Sequence, residues 1–121
     1  MSTPALLALA LLCPAVPAHA DATKVAGNVG LSVTGRGLSV QRAGGWMDGH
    51  DTGVRARLYT VYKGGRTDLT RWKDATPRTV GIRRFSDVED WNLRGRRFRN
   101  GTWLCIQFNA SDSSPCARIH R

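Results

Sequence analysis

From Leu31 onward, apolar and polar residues alternate in short runs separated by glycine, and no stretch shows the 3.6-residue spacing of an amphipathic helix. A period of two places successive side chains on opposite faces of an extended chain, so each run predicts a strand with one buried face. LSVTGRGLSV reads as two short strands around Gly35-Arg36-Gly37. In VRARLYTVYKGGRTDLTRW, Val54, Ala56 and Leu58 alternate with Arg55, Arg57 and Tyr59, and Gly64-Gly65 offers the positive φ of a tight hairpin turn. TVGIRRF predicts a strand entered after Pro77, with Val80 and Ile82 inward and Arg83 outward. NLRGRRFRNGTWLCIQF predicts a second hairpin, turning at Gly95 or at Asn100-Gly101. About six to eight short strands at this spacing make an all-β domain, a small antiparallel β-sandwich or barrel. It occupies residues 31–121, with residues 21–30 as a flexible N-terminal segment.

The first 20 residues break the pattern. Ala5 to Leu12 is unbroken apolar sequence, Pro14 and Pro17 follow, and Ala18-His19-Ala20 puts small residues where a signal peptidase reads them. A membrane span needs roughly 20 apolar residues in a row, so this segment reads as a secretory signal cleaved after Ala20. No Lys or Arg precedes the apolar run, which leaves the translation start open. The expectation is a secreted, extracellular protein with no integral membrane association once the signal is removed.

Cleavage there also removes Cys13 and leaves Cys105 and Cys116 as the only cysteines. In an oxidising compartment two remaining cysteines pair. A zinc site would need more ligands than nearby His120 and Asp112 supply, so neither metal nor cofactor is expected. Leu104, Ile106 and Phe108 alternate with Trp103, Cys105 and Gln107, NASDSSP is turn chemistry, and Ala117 and Ile119 lie on the returning strand. This places the two cysteines face to face near the open end of a hairpin. Closing such a loop stabilises by about 3 kcal/mol in the chain-entropy account.

Charge adds a functional lead. The formal net charge is +9, none of it in residues 1–20, and of 18 basic residues only Lys24, Lys63 and Lys73 are lysines, leaving 15 arginines. Such a surface favours an anionic polymer, a cell-wall or nucleic-acid ligand, or an anionic membrane. The competing account is the coding bias of a GC-rich genome, which also points to a bacterial source. Arg94, Arg96, Arg97 and Arg99 cluster around Phe98, making a candidate anion-binding footprint; as a solvated loop they would mean nothing. Of the four tryptophans, Trp46 and Trp72 are candidates for an aromatic platform, against the alternative that tryptophans pack core and edges.

Catalytic chemistry has little to work with. GGWMDGHDTG gathers Asp48, His50 and Asp51 on a glycine-rich loop, but without the full ligand spacing of a calcium loop. His50, His120, Glu89 and Asp90 are an acid–base inventory without a nucleophile elbow, a metal-binding histidine pair or a phosphate loop, so no catalytic residue is assigned. Asn100-Gly101-Thr102 and Asn109-Ala110-Ser111 match the N-glycosylation pattern by chance. The reading is a monomeric, non-catalytic binding module. A secreted hydrolase such as a small nuclease, and a secreted toxin or protease inhibitor with an exposed apolar loop, are the alternatives.

Overall fold

The computed structural model describes residues 21–49 and 52–121. Residues 1–20, where the secretory signal is expected, and His50 and Asp51 of the glycine-rich loop lie outside the described residues.

Alternation of burial along each segment builds the architecture. Val29, Leu31 and Val33 are buried at every second position of β2 (Val29–Arg36), which lies between β1 (Ala22–Ala26) and β3 (Ser39–Asp48). β3 pairs in turn with the long β8 (Arg83–Arg97), and β8 with β7 (Thr76–Val80), giving an antiparallel sheet in the order β1-β2-β3-β8-β7. The second sheet, β10-β9-β4-β5, joins β10 (Cys116–Ile119), β9 (Thr102–Phe108), β4 (Arg55–Tyr62) and β5 (Gly65–Asp68), while β6 (Lys73–Asp74) pairs the start of β4. Ala56 and Leu58 of β4, Leu104, Ile106 and Phe108 of β9, and Ala117 and Ile119 of β10 meet the first sheet's apolar face in one core. Fully burying each large aliphatic side chain contributes about 1.5–3 kcal/mol. The all-β class is as the alternation predicts, in the form of two antiparallel sheets.

Several expectations are corrected. Ten strands are present among the described residues, more than the six to eight expected. Residues 21–30, expected to be flexible, form β1 and the start of β2, with Ala22–Ala26 paired residue by residue to Val33–Val29. The turn of the β4–β5 hairpin falls one residue early, on Lys63-Gly64, because Gly65 already pairs with Tyr62. Both turn residues have positive φ (48° and 80°), the geometry that matches the twist of a hairpin.

Val80 and Ile82 do not face inward. Val80 pairs with Arg83 across a two-residue turn, so Gly81-Ile82 is the tip of the β7–β8 hairpin and both apolar side chains are exposed. Neither Gly95 nor Asn100-Gly101 closes a hairpin either. β8 continues through Gly95, and the turn at Asn100-Gly101 carries the chain from one sheet to the other, since β9 pairs only with β4 and β10.

The cysteine pairing holds. Cys105 and Cys116 are direct register partners, Cα to Cα 4.0 Å, and are joined by a disulfide. Its position is corrected: Cys116 is the first residue of β10, so the bridge sits at the loop end of the ladder, with Ile119↔Thr102 at the open end. The loop it clamps is tied down further by Asn109. The Asn109 side chain accepts from the Arg55 N–H (2.8 Å) and donates to the Gly53 carbonyl (2.9 Å), so this amide is already engaged.

Candidate anion-binding cleft

Irregularities in the first sheet border a concavity. Thr34 pairs with Arg42 but Gly35 with Val40, so Gln41 is an extra residue against β2. Across the other edge of β3, Val40 pairs with Arg96 and Arg42 with Asn92, which leaves Gln41 facing a three-residue excursion of β8. That excursion holds two successive positive φ values, Arg94 at 54° and Gly95 at 74°, and the Arg94 N–H is caught by the Asn92 side chain at 3.0 Å. A non-glycine residue in this region carries a conformational cost, and such bulges turn the strand and re-aim the side chains beyond it. The adjoining β2–β3 turn is Gly37-Leu38, with Gly37 at φ 56°. Leu38 is buried in the core, and its carbonyl accepts from the Phe98 N–H at 2.9 Å, so the turn is pinned to the end of β8.

Between these pieces lies an open cleft of about 660 Å³. Arg36 enters it from the turn, Arg97 from the end of β8 and Arg121 from the end of the chain, with Thr34, Ser39 and Gln41 adding neutral donors. One side-chain carboxylate is present, Asp21, which accepts the Gly35 N–H at 3.0 Å. The ion pairs among the described residues involve Arg57, Arg66, Arg78 and Arg83, and among these residues no hydrogen bond or ion pair engages the guanidinium group of Arg36, Arg97 or Arg121, although the Arg121 backbone is held by the side chains of Asn100 (3.2 Å) and His120 (2.9 Å). Three arginine side chains against one side-chain carboxylate form a cationic wall whose donors match carboxylate or phosphate oxygens in pairs.

The four-arginine footprint is divided. Arg96 and Arg97 are adjacent on β8 and leave it on opposite faces. Arg97 lines the cleft, Arg96 lies 5.7 Å from the Phe98 ring, Arg99 lies 5.6 Å from the Tyr62 ring, and Arg94 occupies the bulge. Sequence reasoning gives Arg36 no distinction, yet the structure sets it beside Arg97. Arg121 and Asp21 escape it too. The only local hint is the bulge signature itself, glycine and arginine interleaved at Gly35-Arg36-Gly37 and Arg94-Gly95.

The aromatic pair is divided as well. Trp46 belongs to β3 in the first sheet and lies over Gly30 of β2, where any Cβ would collide with its indole. Trp72 lies beside the second sheet under the Arg57 guanidinium, 4.4 Å from the ring centroid. There Arg66 covers Tyr59 at 3.9 Å, and Arg57 and Arg66 share Asp68 and Gln107. The Trp46 indole therefore rests on the Gly30 backbone and the Trp72 ring is covered by the Arg57 side chain, so the two do not form one platform. Asp48 of the glycine-rich loop is engaged by Arg83 at 3.2 Å, and His120 Nδ1 lies 2.9 Å from the Arg121 carbonyl oxygen. Asp87, Glu89 and Asp90 line a smaller cleft with Arg78, about 430 Å³ in volume.

Compared with known proteins, the chain matches no family model, no curated protein and no solved structure.

Proposed function

We propose that the protein is a secreted, extracellular, non-catalytic binding module for an anionic polymer, with a cell-wall polyanion or a nucleic acid as the ligand class and the cleft at Arg36, Arg97 and Arg121 as its anchor. The observation that carries this reading is the contrast in how arginines are employed. Those on the outer face of the second sheet are stacked on rings and shared with Asp68 and Gln107, whereas the guanidinium groups of the three in the cleft make no ion pair or hydrogen bond with a side chain among the described residues. A concave site with hydroxyl and amide donors beside the guanidinium groups suits a chain of repeated anionic groups threaded through an open groove. The protein acts here as a monomer that holds its ligand without transforming it.

The test is the salt dependence of binding to heparin and to single-stranded DNA. A triple variant Arg36→Gln/Arg97→Gln/Arg121→Gln is compared with Arg42→Gln/Arg55→Gln/Arg118→Gln, both falling from +9 to +6. Each arginine–phosphate interaction removed flattens the slope of log affinity against log salt by roughly 0.7–0.9. The cleft variant is expected to lose about two to three such increments and roughly tenfold more affinity than the control. Equal weakening of the two variants would leave only a diffuse basic surface and end the proposal.

A further inference from the structure

The β7–β8 hairpin ends in the most exposed large apolar residues of the described chain. Ile82 has a relative exposure of 103% and Val80 66%, and they flank Gly81 at the point where the ladder runs out. The turn is a short rigid one: Gly81 at φ 62° takes the first position of a two-residue loop, the type II′ geometry that suits a twisted ribbon, and Val80↔Arg83 and Thr79↔Arg84 close it. Single exposed apolar residues are ordinary on a protein surface. Two of them at a projecting tip inside a collar of arginines are a different matter. Arg78, Arg83 and Arg84 occupy the first rungs behind the tip against two carboxylates, Asp87 and Asp48, each holding one arginine in an exposed ion pair of 3.0 and 3.2 Å. Exposed pairs of this kind are weak enough to be exchanged for phosphate.

We infer that this tip docks the protein onto an anionic lipid bilayer, with Val80 and Ile82 entering the acyl boundary and the arginine collar resting on lipid phosphates. An apolar point backed by cations is the chemistry of interfacial anchoring, in which buried apolar area and attraction to acidic headgroups add. A partner protein that extends the sheet fits less well, because edge strand β7 contains Pro77, which has no N–H to offer a pairing strand. The tip adjoins the first residue of β8 and Arg97 is its last; because Phe85–Arg97 lies against the shorter run Asp48–Ser39, the two are separated by roughly 11 extended steps, on the order of 35 Å. A docked molecule therefore holds its cleft away from the membrane. The inference goes beyond the polymer-binding reading and does not need the cleft.

The experiment is flotation of the secreted protein with phosphatidylcholine vesicles and with mixed phosphatidylglycerol–phosphatidylcholine vesicles. Partition onto the anionic vesicles is expected, with a drop of roughly tenfold or more for Val80→Ser/Ile82→Ser. Arg83→Gln/Arg84→Gln should weaken partition onto the anionic vesicles by roughly fivefold per arginine. Because Val80 and Ile82 are exposed, the tip variant melts like the wild type and its weaker partition is not a folding failure. A nitrobenzoxadiazole fluorophore attached at Ile82→Cys should shift to the blue on anionic vesicles, in the cleft triple variant as well, so failure of polymer binding and failure of docking are read separately. Absence of partition onto anionic vesicles, an unshifted fluorophore, or undiminished partition of the tip variant would each overturn the inference. So would a concentration-dependent dimer, or a stoichiometric salt-insensitive complex with a protease, that disappears with Ile82→Ser, since the tip would then belong to a protein.

Discussion

Two hairpin turns in this molecule share one backbone and have opposite fates. Gly37-Leu38 and Gly81-Ile82 are both two-residue loops with glycine in the left-handed region (56° and 62°) followed by a large aliphatic residue. Leu38 is 8% exposed and packs into the core, its carbonyl held by Phe98, while Ile82 is fully exposed. The difference lies in what passes nearby. The end of β8 and its continuation through Phe98 run beside the first turn and cover it; the second turn is the free end of an edge hairpin whose strand β7 has only β8 for a neighbour. Turn chemistry dictates the chain reversal, and long-range packing dictates whether the turn's side chain is core or surface.

Mutations test how far the two turns are alike. Cys105→Ala/Cys116→Ala gives the largest effect, a cost of about 3 kcal/mol in stability, and because the bridge lies away from both turns, polyanion and vesicle binding should survive below the new melting point. Denaturant unfolding alongside both binding assays checks it; disappearance of either binding in folded protein would show that the clamp does more than stabilise. Leu38→Ala should cost about 2–3 kcal/mol, a truncation in the core that appears as a melting temperature lowered by roughly 10 °C or more. It should also weaken polyanion binding by loosening the turn that carries Arg36. Gly37→Ala and Gly81→Ala should each cost about 1–2 kcal/mol, since neither Cβ meets an atom within 4 Å and the penalty is the positive φ alone. Matched values in calorimetry would confirm that the two turns are equivalent as backbone, and a difference well above 1 kcal/mol would refute it. Ile82→Ala should change stability by no more than about 0.5 kcal/mol, the smallest effect of the set. A large destabilisation there would mean that the tip is buried in the native molecule.

Strands are legible in the sequence wherever one face is uniformly apolar, as in Val54, Ala56 and Leu58 or Leu104, Ile106 and Phe108, and the reading fails where local pattern and global position part company. Val80 and Ile82 obey the period of two yet straddle a turn, because Gly81 is as good a hairpin residue as it is a poor strand residue. β1 escapes the pattern because it is almost wholly exposed: ATKVA carries no buried stripe and is a strand only through its pairing with β2. Of the candidate site, the sequence offers Arg97 within a run of arginines. Its partners Arg36, Arg121 and Asp21 lie too far away along the chain for any local pattern to group them.

The all-β class, the disulfide partners and the excess of arginine are therefore properties of the sequence alone, since each follows from local periodicity, from the count of cysteines or from composition. That β8 and β9 belong to different sheets, that Gly37-Leu38 is covered and Gly81-Ile82 bare, and that three distant arginines share one cleft emerge only when the chain is folded. Those outcomes depend on strand pairings between residues tens of positions apart, whose register is selected by the fit of whole faces in the core and by bulges that no short stretch of sequence specifies.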